Sequence, residues 1–553
     1  MNSSLRSLLQ LADADRKAMN WHAASTGYKL AQKQEPDSAT IAHNLALCQL
    51  ALGEANEAIV QCQRALKLNP QLWQSGLVLA KALIQRNEKP IALLLLQRLH
   101  AQLPQSPDIR VELANLSLHL LGDALAARQL VAPLLGSLQH GRDAQITTLV
   151  TQLYDRDPGT TASEVNQAFL DFGAQQLPLS DDICAQVQST VLGKAKPKPK
   201  PTPKPAASTA NTRLRVGLIS PQFFASPVYF FGFGALQHLS MAVDLVIFNR
   251  GTKSDWASDA FRRIATDWLD VAPLGAEQLA QEISRHNLDA LIDLGGWMDP
   301  VALSALSAKP AKKLYKWVGG QSVTTGLKSF DGFLTDRYQT PKGSDALYSE
   351  PLIRLKSGYV TYTAPPYMPA PLKPLPGATP HATTLGIIAN PGKVSRAFLA
   401  DLAQRHQRWN KNSSGPVNLR FIDYRYQHSE VRQRVQTALE GIDIEFVSPA
   451  SHLAYLTAVS ALDATIDTWP YSGGLTTIEA LAVGVPAYTR IGELFCERHT
   501  HAHCRYAGMD LNDFRLDRFN GQPKLARTGQ SLLKPGSPRT DHARLADELL
   551  SLL

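Results

Sequence analysis

A step of 34 residues runs through the N-terminal part of this chain. It separates Pro36, Pro70 and Pro104, then Leu11, Leu45, Leu79 and Leu113. The same step links Ala12, Ala46, Ala80 and Ala114, and again Ala24, Ala58, Ala92 and Ala126. A fixed period forces a stacked architecture, because one repeat cannot bury its apolar face alone. Alanines at two fixed positions let antiparallel helices approach closely, leucines fill the groove, and proline ends the second helix of each pair.

The pattern resembles the tetratricopeptide repeat, most clearly in Ala42-His43-Asn44-Leu45-Ala46, Leu52-Gly53-Glu54, Ala58 and Ala65-Leu66-Lys67-Leu68-Asn69-Pro70. Residues 1–140 are therefore expected to form an all-α solenoid. Such arrays present a concave face to peptides or partner proteins; the bland alternative is a purely structural or self-association module. Residues 141–193 still read as helical, with a weakened repeat, and are expected to cap the array and form a shoulder for the next domain.

Residues 194–212 read as a linker. Lys196-Pro197-Lys198-Pro199-Lys200-Pro201-Thr202-Pro203-Lys204-Pro205 can form neither a helix nor a central strand. A polyproline spacer of roughly 3 Å per residue is expected there. The segment also explains the charge. The chain carries 56 Lys and Arg against 48 Asp and Glu, a formal +8; without Lys194, Lys196, Lys198, Lys200 and Lys204 the excess falls to +3. That is too little to argue for a nucleic-acid partner. No apolar run is long enough to span a bilayer, the first residues lack a secretory layout, and five cysteines suggest no disulfide framework. A cytoplasmic location is expected.

From Arg213 the periodicity changes. Buried-strand runs at Leu214–Ser220, Val243–Phe248 and Leu288–Leu294 alternate with helical stretches, and a second set begins at Thr384–Ile388. That set continues at Leu419–Asp423, Ile444–Val447, Ala464–Asp467 and Val485–Tyr488. Pro365-Pro366 to Pro376 separates the two. The expectation is an α/β module of two Rossmann-like lobes, 213–370 and 371–553, the second including the C-terminal tail. Ligands of such sheets bind at the carboxyl ends of the strands.

The most specific site signal runs from Asp467 through Ser472-Gly473-Gly474-Leu475-Thr476-Thr477-Ile478-Glu479 to Pro486. A strand ends near Asp467, Gly473 and Gly474 turn the chain, and a helix starts near Thr476. Exposed N–H groups at that start can hold a diphosphate, with Thr476 and Thr477 adding hydroxyls. Glu479, one turn further, can bond ribose hydroxyls. The bland reading is a turn followed by a solvated glutamate.

Taken together, residues 213 to about 510 resemble the catalytic region of the O-GlcNAc transferase/SPINDLY-like glycosyltransferases, a GT-B fold family that usually carries tetratricopeptide repeats in front. The matching pieces run in family order: Leu214–Gly217, Asp293-Leu294-x-Gly296, Trp317-Val318-Gly319, Thr324-Thr325-Gly326, Leu334-Thr335-Asp336, Arg354-Leu355, Asn390-x-x-Lys393, Ser451-His452, the 467–486 block, and Gly492-Glu493-Leu494 with Arg498. The resemblance implies metal-independent transfer of a hexosyl or N-acetylhexosaminyl group from a nucleotide-sugar, UDP-linked, to a protein side chain. No cofactor is implied. It assigns Lys393 to the phosphates with Asn390 beside it, His452 to the nucleobase, Thr476 to phosphate, and Glu479 to the ribose, where the family has an aspartate. Lys393 is also expected to act in catalysis by neutralising the leaving diphosphate.

Two departures bear on the chemistry. Gln222 and Ser226 stand where the family has an acid and a histidine, which makes Ser226 the catalytic candidate there; Gly474-Leu475-Thr476 replaces His-Thr-Thr. A donor phosphate oxygen or a water chain can then serve as the base. The segment Cys496-Glu497-Arg498-His499-Thr500-His501-Ala502-His503-Cys504 fits no common zinc spacing. A polar loop lining the cleft is expected instead, with Arg498 meeting donor phosphates. Transfer to Ser or Thr of proteins recruited by the repeats, flagellin or another surface protein among them, is the leading function. A degenerate nucleotide-sugar-binding scaffold and a polysaccharide or lipid-linked glycan transferase are the alternatives.

Overall fold

A computed structural model describes residues 3–193, 213–372, 382–413, 415–524 and 528–553. The expected linker at 194–212 lies outside these residues, as does part of the proline-rich divider before Thr384. The chain divides into two units, Met1–Thr151 and Gln152–Leu553.

The first unit is built of helical hairpins: Ser3–Lys17 with Trp21–Gln34, Ala39–Ala51 with Ala55–Leu68, Trp73–Gln85 with Lys89–Gln102, and Pro107–His119 with Ala124–Val131. The periodic prolines fall just beyond the second helices. Ala12, Ala24, Ala46, Ala58, Ala80, Ala92 and Ala114 are all buried, as close helix contact requires. Gly27 shows how close: a β-carbon there would sit 2.8 Å from that of Ala12. The leucine column is less uniform. Leu45 and Leu113 are 2% and 6% exposed, whereas Leu11 is 64% exposed. Leu45 packs with Ala24 and Tyr28 of the preceding hairpin; no described helix precedes Leu11.

The expected cap and shoulder do not behave as one piece. Helix Gly141–Tyr154 crosses the division between the units. Helices Ala162–Gln176 and Asp181–Val191 pack on the α/β part, where Asn166 donates to the Leu347 carbonyl at 2.8 Å and Gln188 to that of Ala308 at 2.7 Å. A β-carbon on Gly173 would come within 2.1 Å of the Thr325 carbonyl oxygen.

The second unit holds two parallel sheets. In the first, β1 (Arg215–Ser220), β2 (Asp244–Asn249), β3 (Asp267–Asp270), β4 (Ala290–Asp293), β5 (Lys313–Lys316), β6 (Gly332–Thr335) and β7 (Leu352–Arg354) lie in the order β3-β2-β1-β4-β5-β6-β7. In the second, β8 (Thr383–Ile387), β9 (Val417–Ile422), β10 (Ile444–Val447), β11 (Ala464–Ile466) and β12 (Ala487–Tyr488) lie in the order β10-β9-β8-β11-β12. Both sheets reverse direction of winding beside their first strand, β1 against β4 and β8 against β11. Open α/β sheets bind ligands outside the carboxyl ends of strands at such points.

The C-terminal tail, grouped with the second lobe on sequence, returns to the first. Leu545 and Leu549 of helix His542–Leu550 join the core of Leu236 and Trp317. The Glu548 carboxylate accepts from the Ser357 N–H at 2.9 Å, and Lys313 Nζ donates to the Leu552 carbonyl at 2.7 Å. Arg539, fully buried, faces Asp336 at 3.7 Å and donates to the Val360 carbonyl. A short amphipathic helix behind polar turns carries no signal of which sheet it covers. Among the described residues no helix is long and apolar enough to cross a membrane.

Candidate functional site

Lys393 and the Asp467–Gly474 loop follow β8 and β11, neighbouring strands of the second sheet, so both emerge at its winding reversal. After β8 the chain makes a short turn, Pro391–Lys393, whose start is capped by Asn390: its Oδ1 accepts from the Gly392 N–H at 2.9 Å. This aims Lys393 at the loop. Its Nζ donates to the Ser472 carbonyl at 3.0 Å and lies 4.1 Å from the centre of the Tyr471 ring. The two groups thus share one lobe. Adjacent parallel strands bring them together without the second sheet having to close on the first.

The loop owes its shape to Asp467. This buried carboxylate accepts from Ser472 Oγ at 2.7 Å, the Gly473 N–H at 2.6 Å and Thr489 Oγ1 at 2.6 Å. Burial raises its pKa, and those three bonds oppose the rise. Gly473 has no room for a side chain: a β-carbon would lie 2.6 Å from Thr477 Oγ1 and 3.1 Å from Thr476 Oγ1. Helix Leu475–Ala482 then starts at Gly474, and no side chain caps it. Its first N–H groups and their partial positive charge stay available to an anion. Thr476 is half-buried at that start. Thr477 is turned inward, its hydroxyl 2.7 Å from that of Thr500.

Lys393 is held as a weakened cation. Burial pushes its pKa down to about 8, while the Asp467 carboxylate pulls the other way. An ammonium short of water and near an uncapped helix start is well placed to take an anionic ligand.

Glu479 is buried, and its Oε1 lies 2.8 Å from His452 Nε2. His452 Nδ1 is 3.0 Å from the Tyr367 hydroxyl. Burial raises the Glu479 pKa, against the His452 hydrogen bond. The glutamate expected to be solvated or turned to a ribose is therefore engaged by the histidine expected at the nucleobase. His452, 28% exposed at its side chain, is the solvent-facing member, with Phe230 and Tyr455 rings at 5.3 and 6.0 Å.

Two expectations change. Ser226 is a helix cap: its hydroxyl donates to the Gln222 carbonyl at 2.8 Å and accepts from the Val228 N–H at 3.2 Å, at the head of helix Pro227–Leu239. Only 4% exposed, it is committed to backbone. The 496–504 segment is not a polar loop but a short 3₁₀ turn and the buried helix His499–Tyr506. Arg498 donates to the carbonyls of Tyr338 at 2.8 Å and Gly492 at 2.7 Å, joining the two lobes instead of standing free for phosphate. Among the described residues no three His, Cys, Asp or Glu side chains are grouped to hold a metal.

Three residues of the site lie outside the sequence expectations: Tyr471, Tyr154 and His499. Tyr471 carries the Lys393 ammonium on its face, stacks on Tyr154 and lies 2.8 Å from Ser322 Oγ. His499 lies beside Gly474. Tyr471 sits inside the diagnostic block without a signal of its own; His499 is masked by the alternating His-x-His-x-His spacing.

No family model matches the chain. Over 303 residues it is 27% identical to the probable UDP-N-acetylglucosamine–peptide N-acetylglucosaminyltransferase SPINDLY of Arabidopsis thaliana, covering 52% of this chain and 32% of that protein. The Petunia hybrida protein of the same name is 28% identical over 304 residues, covering 53% and 31%. The chain thus spans about a third of the length of these curated relatives. A mutant of the Thermobaculum terrenum O-GlcNAc transferase shares the fold with a TM-score of 0.60 at 22% identity, over 99% of this chain and 92% of that one.

Proposed function

We propose that this O-GlcNAc transferase/SPINDLY-like chain transfers a sugar from a UDP-linked donor to Ser or Thr of proteins held by its helical array. One observation carries the reading: the Lys393 ammonium is hydrogen-bonded at 3.0 Å to the loop that delivers the uncapped helix at Gly474. A cation and a helix start side by side, at the winding reversal of a parallel sheet, form a diphosphate site. His452, with aromatic rings around it, is assigned to the base. Asn390 sets the turn that aims Lys393.

In the reaction the acceptor oxygen attacks the anomeric carbon and the bond from that carbon to the phosphate oxygen breaks. The electron pair leaves with UDP. Lys393 and the helix N–H groups stabilise the charge gathering on the diphosphate, the electrostatic part of catalysis. Ser226 is not assigned the acceptor proton, because its hydroxyl is bound in the helix cap. We assign that proton to a donor phosphate oxygen. The reaction is placed in the cytoplasm, and its acceptors include flagellin or other surface proteins before export.

The test is incubation of the whole chain with UDP-N-acetylhexosamines, UDP-hexoses and candidate acceptors, read by intact mass. Lys393→Ala should reduce transfer by about a hundredfold or more, the scale of losing one charge-stabilising group. Transfer unchanged in that variant would point to a scaffold. A chain lacking residues 1–151 that still elongates glycans but no longer modifies protein would support recruitment by the array. Equal protein modification with and without the array would remove it.

A further inference from the structure

Building on the diphosphate site above, we propose that His499 is a further donor-binding residue, presenting its Nε2–H beside Gly474 to the diphosphate oxygens of the nucleotide-sugar. Position is the first argument. The Cδ2 edge of the ring, which bears Nε2, is the part nearest residue 474: a β-carbon there would stand 4.0 Å from Cδ2 and 3.7 Å from Phe231. Gly474 leaves that space open at the foot of the uncapped helix. Tyr471, under the Lys393 ammonium, is 6.0 Å from the His499 ring centre.

The second argument is the tautomer. Both hydrogen bonds of the ring are made at Nδ1, to Gln339 Nε2 at 2.9 Å and to the Tyr359 hydroxyl at 3.3 Å. The Gln339 amide is oriented by the Phe495 carbonyl at 3.3 Å, which only its NH₂ end can face. That end donates to Nδ1, so the single proton of a neutral imidazole resides on Nε2. Neutrality has a physical cause: burial first, then the Lys393 and Arg539 cations, push the His499 pKa down to about 3. The ring is thus a fixed dipole whose Cδ2, the carbon bonded to Nε2, is its atom nearest residue 474. It adds a donor without adding a second buried charge to that of Lys393, and a preorganised neutral donor needs no reorientation when charge arrives. The imidazole missing at 474 relative to the family pattern is then supplied from a different helix.

Titration calorimetry on the full chain with UDP and with uridine tests this. In His499→Leu, UDP binding should weaken by about tenfold or more, as for loss of a hydrogen bond to a charged group, with uridine binding unchanged. His499→Gln, whose amide reaches the Nε2 position, should keep most of the UDP affinity, and the shorter His499→Asn should lose it. The Gln and Asn contrast holds even if the Leu variant does not fold. Equal weakening of uridine and UDP, or equal behaviour of Gln and Asn, overturns the inference and leaves the diphosphate reading standing. No UDP binding by the unaltered chain overturns both.

Discussion

Tyr154 and Tyr471 stack face to face, their ring centres 5.0 Å apart and their planes within 12° of parallel. The Lys393 ammonium lies over the Tyr471 ring, 4.1 Å from its centre. Tyr154 ends helix Gly141–Tyr154, and its neighbours are anchored as well: Asp155 pairs with Arg396 at 2.8 Å, and Arg156 with Glu497. Tyr154 therefore acts on Lys393 through one aromatic ring. A stacked pair contributes about 0.5–1.5 kcal/mol beyond area burial, so Tyr154→Ala should weaken UDP binding by roughly 2- to 12-fold while Tyr154→Phe leaves it unchanged. Calorimetry on the three proteins checks this; an Ala variant with full affinity would make the stack a packing detail.

The depressed Lys393 pKa gives a pH dependence of definite sign. Only the protonated amine attracts a diphosphate, so UDP affinity should hold steady below about pH 8 and fall as pH rises through that value. Stability moves the other way. The folded pKa of about 8 is below the ordinary 10.5, so between them the unfolded chain binds more protons and folding gains with pH. Lys393→Met should raise the melting temperature at pH 7 while abolishing UDP binding. Its melting point relative to the unaltered chain should converge as pH approaches 10. Thermal melts and calorimetry from pH 7 to 10 separate the two effects.

The fold was legible where apolar pattern and burial agree. The eight strands anticipated from sequence lie in the two sheets, because runs such as Val216–Ile219 and Leu245–Phe248 are buried on both faces. β5 was not legible: Lys313-Leu314-Tyr315-Lys316 places a lysine at each end, and the buried Lys316 is satisfied by the Asp293 carboxylate 3.4 Å away and by the Asp293, Trp317 and Gly319 carbonyls. β3 carries no such signal, because Asp267-Trp268-Leu269-Asp270 is a short edge strand with exposed ends. In the candidate site, the Gly473-Gly474 turn and the helix start after it have local signatures, whereas Lys393 stands out only by its place in the family-ordered series, as Asn390-x-x-Lys393. The tautomer of His499 depends on Gln339, 160 residues earlier in the chain, and periodicity carries no trace of it.

Glu479 should cost the fold stability at neutral pH. Burial raises its carboxyl pKa above the ordinary 4.5. Below 4.5 the acid is protonated in both folded and unfolded chains and no penalty applies. As pH rises through the folded pKa the buried carboxylate must ionise, and folding stability is lost. Glu479→Gln keeps an acceptor for His452 Nε2 without the charge. Its melting temperature should exceed that of the unaltered chain at pH 7, and the difference should vanish by pH 4. A gain that persists at pH 4 would place the effect in packing instead of ionisation.

The adjacent glycines at the head of the helix should respond unequally to one methyl group. In Gly473→Ala the new carbon would sit 2.6 Å from Thr477 Oγ1 and 3.2 Å from Asp467 Oδ1. Thr477 cannot yield freely, since its hydroxyl is bonded to Thr500 at 2.7 Å, and Asp467 is fixed by three hydrogen bonds. Such overpacking costs about 1–3 kcal/mol. Gly474→Ala meets nothing closer than 3.7 Å, and its φ of −91° suits an L-residue, so its stability should change by less than about 0.5 kcal/mol. Urea denaturation of both variants gives the comparison. If the two changes cost the same, the Asp467-centred packing of the loop is not what fixes its shape.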